Sequence, residues 1–358
     1  VKRRRRRRKF WDFWRSKSIE NPLKSLIPVS DAQLRAYAGA FELPSGRQIL
    51  ITRRDGKLYA QVNHAHKHQI LPVGEDAFYY PFFNSNLKFL RGQNGRLDEI
   101  EVAYEGEVVA GQRHGHGKEF RDGGSLYYEG EWQDDAQQGV GVLFHPNGLP
   151  YLKGRFTDGI LNGSGKEYDE QGMLTYQGGF KDGTRHGPGK VFTSKGMLAF
   201  AGKFRNGTIH GHGTEYQGDG TPLYTGQWQD GQRYGEGTLF YSNTATDSSE
   251  VPLYKGEFAH GQRQGQGKEF RKGGSLYYEG GWQEDLRHGK GRAFFLSGTT
   301  AYEGGFWNGQ REGLGREFRD DGSPYYEGTW SANQKHGAGK VFFPDGVVAF
   351  EGGFQDNE

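Results

Sequence analysis

A chain of 358 residues with 60 glycines, 33% apolar residues and no cysteine cannot form one large conventional core, since average glycine usage is only about 7%. The absence of cysteine excludes disulfides, thiolate metal sites and cysteine nucleophiles, and no run reaches the ~18 apolar residues of a membrane-spanning helix. The net charge of +2 conceals a split: residues 1–20 carry ten Lys and Arg against Asp12 and Glu20, or +8, and the other 36 basic and 42 acidic residues give −6.

The first element in chain order is a tail, residues 1–30. Arg3, Arg4, Arg5, Arg6, Arg7 and Arg8 precede Phe10, Trp11, Phe13 and Trp14. Clustered cations beside rings that favour the lipid interface make a candidate contact for an anionic membrane. Two alternatives stand beside it: nucleic-acid phosphates, which the acidic body disfavours, and a solvated charge run whose rings dock on the protein's own sheet. No apolar segment follows the basic run, so no signal peptide is visible. The expected location is cytoplasmic or membrane-peripheral, with export if Val1 is a processed N-terminus.

Residues 31–103 show short β-like runs divided by turns at Ser45-Gly46, Asp55-Gly56 and Asn94-Gly95. His64, His66 and His68 alternate and would share a strand face, a spacing open to metal; no Asp, Glu or Cys beside them completes a set, so exposed turn histidines are expected and no metal. Ser85-Asn86-Leu87-Lys88 has the Ser-x-x-Lys form of a serine acylase but falls in an expected strand without partner motifs. The runs Tyr37–Glu42, Ile49–Arg53, Gly56–Gln61 and Leu87–Phe89 resemble the small lipocalin-like β-domain that follows the catalytic domain of bacterial serine β-lactamase-like hydrolases. The resemblance implies a bacterial source and an accessory module.

From Tyr104 onward the chain repeats every 24 residues, opening at Tyr128, Tyr176, Phe200, Tyr224, Tyr254, Tyr278, Tyr302, Tyr326 and Phe350, with Leu152 standing in once. Such a period means stacked supersecondary units. In each unit Tyr, Gly and Trp or Phe at i, i+2 and i+4 share one face of a strand. Asp158-Gly159, Asp182-Gly183, Asn206-Gly207, Asp230-Gly231 and Asn308-Gly309 then supply type I′ turns. The return strand is expected to begin with a Gly-x-Gly pair such as Gly139/Gly141, whose bare backbone would lie under a ring. An aromatic three residues later (Phe120, Phe144, Tyr168 and their successors) requires either a bulge or rings on both faces. The single break in step predicts an exposed loop over 242–250.

The pattern Tyr224-x-Gly226-x-Trp228-x-x-Gly231-x-x-x-Gly235-x-Gly237 resembles the MORN repeat over about 104–358. The resemblance implies a scaffold for protein interaction, with homodimerisation and anionic lipid contact as associated properties, and no catalytic residues. Arg113-His114, Arg185-His186, Arg233-Tyr234, Arg287-His288 and Lys335-His336 precede the Gly-x-Gly pairs and would stack into a basic ridge able to grip an acidic partner. The alternative is a solvated edge neutralised by turn acids such as Asp182 and Asp230. The whole reads as all-β: an elongated twisted ribbon of stacked hairpins preceded by a small lipocalin-like barrel. No enzyme activity or cofactor is expected. The expected partners are an unidentified protein, a second copy through the C-terminal repeat edge, and an anionic membrane surface; a hydrolase accessory role is a third reading.

Overall fold

The computed structural model describes residues 27–42, 48–62, 67–74, 76–80, 85–91, 97–102, 104–109, 112–121, 124–242 and 250–357. The tail with Arg3–Arg8, Phe10, Trp11, Phe13 and Trp14, the residues His64 and His66, and most of the 242–250 insertion lie outside them. The chain divides into two compact units, residues up to 174 with 180–183, and 175–179 with 184 onward.

The first unit opens with α1 (Asp31–Ala36), a helix not foreseen from the β-like texture of this segment. Its signal is a capping box: Ser30 Oγ accepts from the Gln33 amide, and the Ser30 amide donates to Gln33 Oε1 at 2.9 Å. Seven antiparallel strands follow in sequence order: β1 (Gly39–Glu42), β2 (Gln48–Arg54), β3 (Lys57–Val62), β4 (His68–Gly74), β5 (Ala77–Tyr80), β6 (Ser85–Arg91) and β7 (Leu97–Val102). The sheet is curled into a half-barrel. Alternation decides its inside: Ile49 and Ile51, Leu58 and Ala60, Phe78 and Tyr80, Leu87 and Phe89 are all buried. Tyr37 of the helix end packs edge-on against Phe78 at 4.7 Å and donates its hydroxyl to Asp76 at 2.7 Å, which closes the core with a satisfied polar tip.

After β7 every 24-residue unit is a β-hairpin, and consecutive hairpins pair antiparallel within each compact unit. The Tyr278 hairpin, strands Leu276–Gln283 and Leu286–Phe294, shows why. Its turn residues Glu284 and Asp285 have φ of 49° and 67°, the type I′ geometry that matches the twist of paired strands. Gly280 faces Gly291 and Trp282 faces Arg287, so Gly281 alone spans His288, Gly289 and Lys290. This is a bulge, and Gly289 takes its left-handed corner at φ 75°. The return strand therefore starts three residues earlier than the Gly-x-Gly pair proposed from sequence, and the two glycines do different work. The first turns the bulge; the second makes room for a ring.

That second glycine belongs to an unbroken row. In the second unit Gly189, Gly202, Gly213, Gly226 and Gly237 face one another in succession across five strands, and the row continues from Gly256 through Gly352. Each opening tyrosine lies along its strand over two of these glycines. A β-carbon on Gly237 would sit 2.5 Å from Tyr224 Cε2 and 2.6 Å from its Cζ, so no larger residue fits. The hydroxyl finishes the cradle by donating to the carbonyl three residues on, as Tyr278 does to Gly281 at 3.0 Å.

The aromatic at the end of each return strand, left open between a bulge and a two-faced arrangement, lies on the opposite face. Lys255 and Arg292, both on that face, reach the rings of Phe270 and Phe294.

Candidate interaction surface

One face of the hairpin sheet is closed by its own rings. Tyr254, Trp282, Tyr278, Phe306 and Tyr302 meet edge to face in a chain, with centroids 5.1–5.4 Å apart. Tyr254, Tyr278 and Tyr302 are 0% exposed. Burial pushes the Tyr224, Tyr278 and Tyr302 phenols up to about 12 and that of Tyr254 higher still. The rings are therefore neutral packing elements at any physiological pH.

The basic ridge lies on this face, and its cations are engaged. Arg263 stacks over Trp282 at 4.2 Å, Arg287 over Tyr278 at 4.9 Å, Arg311 over Tyr302 at 4.7 Å, and Arg185 over Tyr176 at 4.7 Å. The acids that meet them are return-strand glutamates and, at Arg113 and Arg263, also the turn acids Asp135 and Asp285, at 3.2 and 3.1 Å. Glu269 holds Arg287 at 2.6 Å and Arg263 at 3.8 Å. Glu317 likewise holds Arg311 at 3.0 Å and Lys335 at 3.4 Å. Arg113 bonds Glu119 at 3.0 Å, and Arg233 bonds Glu215 at 2.8 Å. Glu269 and Glu317 thus tie a cation of their own hairpin to one of the next, whereas Glu119 joins Arg113 to Gln137 and Glu215 holds only the next hairpin's Arg233; the four are partly buried.

These glutamates expose a second period that the 24-residue repeat hides. The residue before the closing aromatic alternates Glu119, Leu143, Glu167, Val191, Glu215, Leu239, Glu269, Ala293, Glu317, Val341. Acid and apolar residue take turns along the array, so the chemical unit is a pair of hairpins, 48 residues long. The signal was present in the sequence at twice the spacing at which the repeat first shows.

The second residues of the ridge turn towards the hairpin edge. His114, Tyr234 and His336 are exposed, and His288 leans on the Trp307 ring at 4.4 Å. Where that position carries an oxygen it accepts the amide of the next turn: Asp158 to Gln138 at 3.1 Å, Asp182 to Asn162 at 2.9 Å, Ala332 to Glu312 at 2.9 Å. The second turn residue is stitched backwards too. Gly309 donates its amide to the Arg287 carbonyl at 2.8 Å, and Asp285 donates to that of Arg263 at 3.1 Å. At the other edge Arg271 donates to the carbonyls of Leu276 and Phe294 at 2.7 and 2.5 Å, and Arg121 and Arg319 act in the same way. These arginines were not singled out from sequence; their signal is an Arg directly after the closing Phe.

The opposite, outer face is open to solvent. Across its middle, Lys268, Glu279, Arg292 and Glu303 face one another in turn, and Arg316, Glu327, Lys340 and Glu351 continue the row. Charge alternates at every rung, and neighbouring rungs bond: Glu279 to Lys268 at 3.3 Å and to Arg292 at 2.5 Å, Arg316 to Glu327 at 3.1 Å, Lys340 to Glu351 at 3.0 Å. Below this row Leu286, Trp307 and Leu314 are 47%, 58% and 78% exposed.

No group of His, Asp and Glu with metal-ligand geometry occurs among the described residues, and His68 begins β4. Ser85 and Lys88 fall in strand β6, where the sequence placed them. An all-β array with a ring-packed face and a charged open face defines a repeat protein whose chemistry is its surface. The MORN repeat matches at residues 104–125, 128–149, 153–173, 176–196, 200–221, 224–246, 254–275, 278–300, 302–323 and 326–348. This is more than half of the chain, which belongs to the MORN-repeat family. No curated protein matches it. A solved structure titled "Crystal Structure of TcdB2-TccC3-Cdc42" aligns with 87% of this chain and 17% of its own, at 10% identity and a TM-score of 0.15.

Proposed function

We propose that the protein is a non-catalytic scaffold that presents the outer face and edges of its hairpin array to partner proteins. The observation that carries this reading is the closure of the ring face. Tyrosines at 0% exposure and arginines engaged by glutamate leave little there for a ligand, whereas the outer face varies from repeat to repeat. Through its exposed second residues, His114, Tyr234 and His336, the ridge offers polar and aromatic contacts to an acidic partner. The last strand, Val348–Phe354, pairs with Gln334–Phe342 and exposes Phe350 where other repeats bury a tyrosine; this edge supports self-association. Cross-linking of the full chain in extracts of its source, with mapping of linked lysines, tests the reading. Links from Lys255, Lys290 and Lys340 to a recurring partner are expected; links confined to residues 31–103 contradict it.

A second reading, a peripheral membrane adaptor, has the Arg3–Arg8 run with Phe10, Trp11, Phe13 and Trp14 as its support. It predicts flotation of the full chain with anionic vesicles, lost on deleting residues 1–16. An accessory role beside a hydrolase has the resemblance of residues 31–103 as its support.

A further inference from the structure

Equivalent positions recur along one chain, so each hairpin can be compared with its siblings. On the outer face two positions flank the first-strand glycine. In the Tyr104 and Tyr128 hairpins both are acidic, Glu105 with Glu107 and Glu129 with Glu131, whereas the Leu152 hairpin has Lys153 and Arg155 there. The second acid has a fixed place. A β-carbon on the bulge glycine would run into the carboxylate of Glu107 at Gly115, of Glu131 at Gly139 and of Glu257 at Gly265, so the carboxylate lies over the bulge. From there Glu257 accepts the amide of Gln266, the residue after the bulge glycine, at 2.8 Å.

In the Leu152 hairpin the bulge is bare, and a β-carbon on Gly163 would meet nothing within 4 Å. The Ser164 carbonyl points at Gly154 as the Gln266 carbonyl points at Gly256. The Ser164 amide is therefore the counterpart of the one Glu257 takes, and Arg155 beside it has no oxygen to accept it. Lys166 faces Lys153 directly, and like charges so placed repel. On the other side of the strand Val142 faces Lys153 and Val140 faces Arg155, so no acid approaches from there. Among the described residues no carboxylate pairs with Lys153, Arg155 or Lys166, whereas Lys118 bonds Glu129 at 3.1 Å. Lys255 and Lys268 also face one another, but Lys268 bonds Glu279 at 3.3 Å and Glu257 covers the bulge.

We propose that this bare bulge binds the carboxylates of an acidic, extended segment of a partner protein. One carboxylate accepts from the Ser164 amide and the Arg155 guanidinium, in the place that Glu131 and Glu257 fill in their own hairpins. A second, two residues along the segment and about 7 Å away on the same face, lies between Lys153 and Lys166 and relieves their repulsion. The array itself selects a carboxylate, because glutamate fills the same place in three sibling hairpins. The site rests on the scaffold reading for its partner and adds that partner's chemistry; it lies on the open face, apart from the ridge on the ring face.

The probe is a synthetic peptide with glutamate at every second position and serine between, set beside a counterpart with glutamine in place of glutamate. Acetylation of the full chain, read lysine by lysine by mass spectrometry, separates this site from any binding by the basic tail. The glutamate peptide is expected to protect Lys153 and Lys166 and its counterpart to protect neither, while the exposed Lys195 and Lys272 stay reactive with both. Arg155→Glu restores the acid of the sibling hairpins, and half-protection is expected to need about tenfold more peptide or more. Arg155→Gln, matching Gln227 of the Tyr224 hairpin, adds no acid and is expected to weaken protection as well; circular dichroism checks that both variants are folded. The proposal is overturned if Lys153 and Lys166 are unprotected, if Lys195 and Lys272 are protected equally, or if both folded variants bind like the parent. Protection by phosphatidylserine vesicles and not by the peptide would assign the surface to a membrane and overturn it too. None of these outcomes alters the links from Lys255, Lys290 and Lys340 by which the scaffold reading itself is judged.

Discussion

A tyrosine lying flat over two facing glycines is the smallest unit from which the array is made. It fills the volume that glycine leaves empty, buries its whole ring, and satisfies its hydroxyl on the carbonyl three residues along. Phe200 and Phe350 occupy the same position without a hydroxyl, and Leu152 once without a ring, so filling the volume is the common requirement and the hydrogen bond is supplementary. Gly291→Ala places a methyl into the Tyr278 ring and is expected to cost about 1–3 kcal/mol in urea unfolding. Tyr278→Phe is expected to cost about 1 kcal/mol. Burial also sets an alkaline limit. Since the Tyr278 phenol ionises near 12 in the fold and at about 10 when unfolded, stability from this group is complete below about pH 10 and declines as pH rises to about 12. A phenolate titration should show exposed tyrosines ionising first and the buried set only with loss of β-sheet circular dichroism; simultaneous ionisation of all tyrosines near pH 10 in a folded protein contradicts the packing described.

At the scale of the hairpin, the turn is a fastener to its neighbour. Asp285 stands where most turns have glycine, holds φ at 67°, and accepts from the Arg263 amide at 3.0 Å. Its side chain repays the strain of that backbone with a bond glycine cannot make. Asp285→Ala keeps the strain and loses the bond, and is expected to cost about 2 kcal/mol. Asp285→Gly loses the bond but relieves the strain and is expected to stay within about 1 kcal/mol of the parent. Thermal denaturation orders the two, and equal losses would show that the side-chain bond dominates. The hairpins, their turn type and the ring face were legible in the sequence because Asp-Gly, Asn-Gly and Tyr-x-Gly-x-Trp express local geometry. The start of the return strand was not, since a bulge absorbs residues between Trp282 and Gly291 that no spacing rule assigns. Nor was α1, whose single turn and a half is marked only by Ser30 and Gln33. The ridge was legible as a row of cations; its burial against Glu269 and Glu317 was not, because those acids lie six residues from one cation and eighteen from the other.

From the Tyr254 to the Tyr326 hairpin the glutamates make the pair of hairpins the repeating chemical unit. Glu269 joins the Tyr254 and Tyr278 hairpins through Arg263 and Arg287, and Glu317 joins the next two through Arg311 and Lys335. A family resting only on its 24-residue period would lose any one hairpin at equal cost. Pairing makes the cost depend on which boundary is cut. Deleting residues 254–301 removes a complete pair and sets Leu239 beside the Tyr302 hairpin, so the alternation of acid and apolar residues is kept. Deleting 254–277 removes Glu269 and leaves the partly buried Arg287 facing Leu239. The most direct measurement is urea unfolding of these two shortened chains side by side. The longer deletion is expected to unfold in one transition and to be more stable than the shorter by about 2 kcal/mol; a shorter deletion that is equally or more stable would show that single hairpins, and not glutamate-tied pairs, are the units of this fold.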